Sequence, residues 1–370
     1  MEDLGPVLRH FPNLTRTNGD TLPAATNLPT RRLTGGLINA TWALGDHHVL
    51  QRLHPIFDAT VHLDIAALTA ILTDAGVPVP RLVESAAGRP WVELPADGAT
   101  PEALHGVWRL MTRLPGRTIE RVSVPAEAHC AGALVARFHG ALRGVAHEFA
   151  FTRPGAHDTD AHLARLANSV EAHAGHRLVA DVAPIATELA ARWADTERPT
   201  GLPARIGHGD LKIANLRFAP DGPEATGVLD LDTMAWLDLS VELGDALRSW
   251  CNPASEDSPG PTLDVDIFGA AVAGWLTEAR DWATAAEVGA LVPGLERICL
   301  ELAARFAWDA LEERYFGWNP AIAPTRGDHN LVRARGQLAL ARQVAAARGR
   351  LQALVAQAWS SARPSVRPSA

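Results

Sequence analysis

The stretch Ile206-Gly-His-Gly-Asp-Leu-Lys-Ile-Ala-Asn215 constrains this chain more than any other feature. Its core reads H-G-D-x-K-x-x-N, from His208 through Asp210 and Lys212 to Asn215. Further on, an apolar run ends in a carboxylate, Val228-Leu229-Asp230, followed by Leu231-Asp232-Thr233. Phosphoryl transfer from a nucleotide requires such a set. One carboxylate orients or deprotonates the attacking hydroxyl, a cation sits near the moving phosphoryl group, and oxygen ligands hold magnesium. Asp210, Lys212, Asn215 and Asp230 supply these in order. A lone H-G-D would read as a surface turn before a buried strand; the four-part pattern reads as a kinase-type site.

Lys212 adds an independent signal, because it is the only lysine; every other basic side chain in the Lys+Arg total of 34 is arginine. A compact ammonium differs from a planar guanidinium at a crowded phosphate. Chance placement of one leftover lysine is the competing reading.

At 370 residues the chain is long enough for two lobes with their own cores. A formal charge of −8 argues against a general nucleic-acid binder. Cys130, Cys251 and Cys299 fit neither a disulfide framework nor a metal knuckle and read as buried thiols in a reducing compartment. The start lacks a basic, then apolar leader, and no window approaches a membrane span, so a soluble cytoplasmic protein is expected.

In chain order, a short helix is expected near Leu4 to Phe11. Leu33 to Leu44 reads as strand, glycine turn, strand, and Val49 to Leu53 as a third strand after the turn residues His47-His48. Gly35 and Gly36 would let main-chain N–H groups approach phosphate oxygens. Arg52 is the basic candidate on the third strand, and Asp64, on a helix over Thr60 to Gly76, its nearest acidic partner. Val79 to Glu84, Trp91 to Leu94 and Val107 to Met111 read as strands. The lobe boundary falls at Leu114-Pro-Gly-Arg-Thr118, with adenine expected on main-chain groups from Thr112 to Leu114. Beyond Pro125 helices dominate: 126–142, 157–170, 182–195, 239–248, 264–284, 286–313 and 331–359, with a loop over 252–262. His208 is expected to hold the loop that carries Asp210; Glu242 and Asp245 read either as substrate contacts or as caps near a helix start, with the cap favoured for Asp245.

These residues resemble the aminoglycoside phosphotransferase-like kinase superfamily in H-G-D-x-K-x-x-N and the later Asp230. Further pieces resemble one branch, the N-acetylhexosamine 1-kinases. They are Gly-Leu-Ile-Asn-Ala-Thr-Trp (36–42), Val-Leu-Gln-Arg-Leu (49–53), Trp-Arg-Leu (108–110), His-Asp-Thr (157–159) and Leu-Asp-Leu-Asp-Thr (229–233). Gly-Asp-Ala-Leu-Arg (244–248), Arg305-Phe306, Tyr315-Phe316 and His-Asn-Leu-Val-Arg-Ala-Arg-Gly-Gln (329–337) complete the set. The resemblance implies an α+β, bilobal protein-kinase-like fold. A small antiparallel N-lobe (1–114) would bind nucleotide, a larger helical lobe (115–360) would hold the catalytic loop and acceptor, and 361–370 would form a tail. It implies ATP or GTP as donor, Mg2+, and transfer to the anomeric hydroxyl of an N-acetylated hexosamine by a monomer or homodimer. Asp210 would be the base, Asn215 and Asp230 the metal ligands, with Asp232 assisting, and Arg248 and Arg305 would face the acceptor. Two departures concern the acceptor: Leu37 stands where the branch carries His, and H-G-D replaces H-N-D. An antibiotic kinase, its acidic pocket drawn from Glu256 and Asp257, and a non-catalytic pseudokinase remain open on the residues alone.

Overall fold

Along β5 (Gly106–Thr112) successive side chains alternate between the two faces of a sheet, so Trp108 and Leu110 share one face and Arg109 points to the other. That alternation organises the first of two units into which the chain divides in this computed structural model. The structure describes residues 3–12, 14, 25, 28–33, 39–96, 100–254, 256–258 and 260–362.

The first unit comprises Met1–Gly116, Gly144–Thr152 and Gly227–Asp232. It begins with helix α1 (Gly5–Leu8). Strands β1 (Thr30–Leu33), β2 (Ala40–Leu44), β3 (His48–Arg52), β4 (Val92–Leu94) and β5 form an antiparallel sheet in the order β1-β2-β3-β5-β4. Register pairs Trp42 with Leu50 and Leu50 with Leu110, which places the three on one face. There they meet Trp108, Val7, Leu8 and Phe11 in the unit's apolar core, and the Trp42 and Trp108 rings lie 5.3 Å apart. Helix α2 (Val61–Asp74) buries Val61, Ile65, Leu68 and Leu72 and gives way to Gly76 at φ +75°.

The second unit comprises Arg117–Arg143, Arg153–Thr226 and Thr233–Ala370. Its helices are α3 (Pro125–Ala141), α4 (Thr159–Ala172), α5 (Val179–Asp195), α6 (Leu239–Trp250), α7 (Val265–Ala279), α8 (Ala285–Gly289), α9 (Leu291–Glu312) and α10 (Arg326–Ser361). Helix α9 is buried almost all round, as a central helix must be, and packs against α4, α5, α6 and α10. Helices α3 and α7 pack closely enough that a Cβ at Gly274 would lie 2.0 Å from His129 O. Between α5 and α6 run short strands β6 (Arg205–Gly207), β7 (Leu216–Phe218), β8 (Ala225–Val228) and β9 (Ala235–Leu237); β6 pairs with β9. The fold is therefore α+β, an antiparallel sheet unit and a mostly helical unit.

Several local expectations need correction. Val79 to Glu84 is no strand: Pro80 has no N–H to give, and only Leu82 makes a bridge, to Met111. The helix expected over 286–313 is two, because Gly289 and Pro293 weaken the junction and α8 opens with its own capping box, Thr284 with Glu287. His48 belongs to β3 and is buried. Among the described residues no helix is long and apolar enough to cross a membrane.

Candidate active site

Strand β6 ends at Gly207, and the chain turns through His208 and Gly209 into Asp210. Gly209 sits at φ +78°, and a Cβ there would lie 2.3 Å from Thr233 O. That near-contact makes glycine the residue this loop accepts. His208 is fully buried, and its Nδ1 accepts the Asp210 N–H at 3.2 Å, the loop-holding role expected of it. Thr233 Oγ1 donates to His208 O at 2.8 Å.

Three of the expected residues meet directly. Lys212 Nζ donates to Asp210 Oδ2 at 2.8 Å. Asn215 Nδ2 donates to the same oxygen at 3.1 Å and to Asp210 O at 2.8 Å. Oδ2 is thereby occupied, and Oδ1 has no hydrogen-bond partner among the described residues. Burial alone would raise the Asp210 carboxyl, but the Lys212 ammonium, helped by His208 and Arg248, holds it below the ordinary range. Asp210 is thus ionised at neutral pH. The Asn215 amide, tied down through its nitrogen, is left with Oδ1 as its acceptor, the atom type magnesium takes. Among the described residues no three His, Cys, Asp or Glu side chains converge as a metal cage, and a magnesium ion shared with phosphates needs only one or two protein ligands.

Asp230 lies in the segment Gly227–Asp232 of the first unit, at φ 59°. A non-glycine residue held there is strained, a feature that clusters at functional sites. Asp232, expected to assist it, is engaged elsewhere. Both of its oxygens accept from Arg109, with Nη2 to Oδ2 at 2.9 Å, and Asn39 Nδ2 donates at 2.8 Å. Both side chains of this pair are 2% exposed. Burial would raise the Asp232 carboxyl, and the Arg109 guanidinium keeps it low. Arg109 also donates through Nε to Gln51 Oε1 at 2.9 Å, and Gln51 Nε2 to Thr41 Oγ1 at 3.0 Å. The polar face of the sheet thus carries a ladder from Thr41 through Gln51 and Arg109 to Asp232. Only the polar phase of the β5 alternation hints at it in the sequence.

Arg52 lies on the other face of β3. It donates to Ala103 O, and its guanidinium sits 5.9 Å from the Trp108 ring centroid. Asp64 is not its partner: its carboxylate accepts from His147 Nε2 at 2.8 Å and from the Ala150 and Phe151 amides at 2.9 and 3.0 Å. The Thr112 N–H goes to Arg81 O at 2.9 Å and the Arg113 N–H to His47 O at 2.7 Å. The Leu114 side chain packs over Gly227, where a Cβ would lie 2.5 Å from Leu114 Cδ1. Gly35, Gly36 and Leu37 lie outside the described residues.

Asp245 does not cap α6; Asp238 does, its Oδ1 accepting from the Ser240 and Val241 amides at 2.9 and 3.1 Å. Asp245 sits mid-helix, where its Oδ1 accepts from Arg248 Nε at 3.2 Å and Nη2 at 3.0 Å. Arg248 is 4% exposed, and its Nη1 reaches Glu256. Arg305 Nη1 lies 3.9 Å from Glu301 Oε1, and its guanidinium is 5.6 Å from the Phe316 ring centroid. Glu301 is fully buried and takes His157 Nδ1 at 3.0 Å and Thr159 Oγ1 at 2.7 Å. With Asp158 capping α4, His-Asp-Thr (157–159) fastens the start of α4 to α9.

One residue the motif did not announce supports the loop. Glu242 accepts from the His208 and Gly209 amides and from His139 Nε2, all inside the fold. Burial would raise its carboxyl; His139 chiefly offsets this and keeps it low.

An antiparallel sheet unit, a helical unit and an H-G-D loop whose aspartate is gripped by lysine and asparagine define a kinase-type phosphotransferase. The chain belongs to the APH phosphotransferase enzyme family, whose model matches residues 29–287. Its fold is shared with a microcompartment-associated aminopropanol kinase at 18% identity and TM-score 0.56, covering 88% of this chain and 94% of that one. The amicoumacin kinase hAmiN, solved with AMP-PNP, Ca2+ and Ami, matches at 15% identity and TM-score 0.56 over 90% and 92%. An aminoglycoside phosphotransferase from Alicyclobacillus acidocaldarius matches at 15% and TM-score 0.54 over 90% and 93%.

Proposed function

We propose that the chain transfers the γ-phosphate of ATP, with Mg2+, to a hydroxyl of an uncharged, multiply hydroxylated small molecule, the anomeric hydroxyl of an N-acetylhexosamine first among candidates. The observation that carries the choice of acceptor is the state of the loop carboxylates. Glu256 is paired with Arg248, and Asp257 accepts from Arg333 Nε at 2.6 Å and His329 Nε2 at 3.0 Å. An acidic pocket for a polycationic antibiotic requires unmatched carboxylates, and these two are already matched.

In this reading residues 1–114 bind nucleotide, with Gly35 and Gly36 toward the phosphates and Thr112 and Leu114 toward the base, whereas Arg52, turned to Ala103 O and the Trp108 ring, is no phosphate ligand. Residues 115–360 carry the catalytic loop and acceptor, with Arg248 and Arg305 on the acceptor side. Asn215 and Asp230 hold Mg2+, which when bound neutralises phosphate charge. Lys212 fixes Asp210 Oδ2, so that Oδ1 receives the proton of the attacking hydroxyl. A positioned base of this kind contributes about 10² to 10⁴ in rate. Asp210 being ionised, the enzyme needs no proton removed before it binds acceptor.

The test is nucleotide consumption with magnesium against N-acetylglucosamine, N-acetylgalactosamine, hexoses, homoserine and aminoglycosides, with Asp210→Ala as blank. Turnover on an amino sugar giving an acid-labile 1-phosphate supports the reading. Turnover only on an aminoglycoside overturns the uncharged acceptor, and no turnover on any acceptor favours a non-catalytic protein.

A further inference from the structure

The second oxygen of Asp245 is the one acidic atom in the second unit for which the described residues leave a buried acceptor without a donor. Asp245 is 9% exposed, its Oδ1 is fixed by Arg248, and its Oδ2 has no hydrogen-bond partner among the described residues. An unsatisfied buried acceptor costs about 1–3 kcal/mol, so a fold keeps one where something else fills it. Two observations locate that something at the reaction centre. Ile213 N–H donates to Ser249 Oγ at 3.1 Å and Trp250 Nε1 to Leu211 O at 2.8 Å, so the C-terminal half of α6, which carries Asp245 and Arg248, lies against the loop that carries Asp210. Glu242, one turn earlier on the same helix, accepts from the His208 and Gly209 amides at 2.6 and 2.9 Å. The Asp245–Arg248 pair therefore sits beside the base, with Arg248 spent on Asp245 and Glu256 and one carboxyl oxygen left over.

We propose that Asp245 Oδ2 accepts a hydrogen bond from a second donor on the acceptor, an N–H or O–H beside the hydroxyl that Asp210 addresses, making Asp245 a specificity-determining residue. On an N-acetylated hexosamine phosphorylated at its anomeric hydroxyl, that donor is the acetamido N–H on the neighbouring carbon; on a plain hexose it is the 2-hydroxyl. The inference rests on the proposed small-molecule kinase reading. It explains how a pocket whose charges are matched still selects: a single alcohol leaves Oδ2 unpaired, whereas an acceptor with two adjacent donors fills it.

The experiment compares wild type and Asp245→Asn, which keeps the shape and an oxygen for Arg248 but presents a donor at the second position. Each is assayed for kcat/KM on N-acetylglucosamine and on 2-deoxyglucose, which lacks the neighbouring donor. Wild type should lose about 10- to 100-fold on the deoxy sugar. Asp245→Asn should lose a similar factor on the parent and then discriminate between the two by less than about threefold, since the contact is already gone. Losses that multiply, or a variant with wild-type kcat/KM on the parent, overturn the proposal, because a purely structural role lowers both substrates alike. Should the variant fail to fold, wild type decides alone: equal rates on the two sugars overturn it. If wild type uses another alcohol instead, the sugar reading fails, and the same four-way comparison on that alcohol and its analogue decides Asp245. Transfer to nothing overturns both.

Discussion

Glu242 Oε1 stands 2.6 Å from the His208 amide nitrogen and Glu242 Oε2 stands 2.9 Å from that of Gly209. One carboxylate on α6 thus grips two consecutive amides of the loop that presents Asp210. His139 Nε2, 3.0 Å from Oε1, supplies a third donor. Glu242→Ala would orphan all three inside the fold. We expect it to lower stability by about 3–5 kcal/mol, and Glu242→Gln by less, read from urea denaturation. Glu242→Gln should also lower kcat, since the loop loses its grip while nucleotide contacts persist.

Arg109 and Asp232 are a buried ion pair, and breaking one side should cost more than removing both. Arg109→Met leaves a buried carboxylate with Asn39 as its remaining donor, for an expected loss of about 3–5 kcal/mol. The double variant Arg109→Met with Asp232→Leu should lose less than the sum of the singles in a double-mutant cycle of denaturation midpoints. Strict additivity would mean the pair is not energetically coupled.

At Gly274 even one methyl has no room. Gly274→Ala would drive a Cβ into His129 O, so α3 and α7 must separate, at about 1–3 kcal/mol or more. Gly175→Ala, where nothing lies within 4 Å, is the control and should shift stability by less than about 1 kcal/mol. Thermal unfolding of the two variants side by side checks this.

His62 should set part of the acid stability. Burial, aided by the Arg109 charge, pushes its imidazole down to about 4 from the ordinary histidine value of 6.5. The unfolded chain therefore binds a proton that the folded chain refuses between those values. Stability is full above pH 6.5 and falls as pH drops toward 4, by up to about 3 kcal/mol for this one group. Stability measured at pH 7 and pH 5 should differ less in His62→Gln than in wild type.

For the chemistry, Asp210→Asn should cut turnover by about 10² to 10⁴ while nucleotide Kd changes little. Parallel loss of affinity and rate, measured by calorimetry and a coupled assay, would remove Asp210 from the role of base.

Much of the frame is legible from local pattern. The stripe Val61, Ile65, Leu68, Leu72 marks α2, and the short apolar run Val107 to Met111, broken only by Arg109, marks β5. The H-G-D-x-K-x-x-N spacing brings Asp210, Lys212 and Asn215 into contact because the turn after β6 is only a few residues long. What pattern cannot supply is long-range pairing. Nothing near Arg109 announces Asp232, and nothing near Asp64 announces His147. Asp245 reads as a cap because it stands near a helix start, but the start is set by Asp238, whose side chain reaches the amides that need it. Pro80 and Pro293 were visible all along; their missing N–H groups, not the apolar runs around them, decide where strand and helix break.

Lys212 touches Asp210 and is 42% exposed on its side chain, in a chain with no other lysine. The chain's whole supply of side-chain amine is therefore concentrated on one contact of the loop that carries Asp210. An amine-selective reagent has a single side-chain address here, and whatever it attaches reports from beside Asp210.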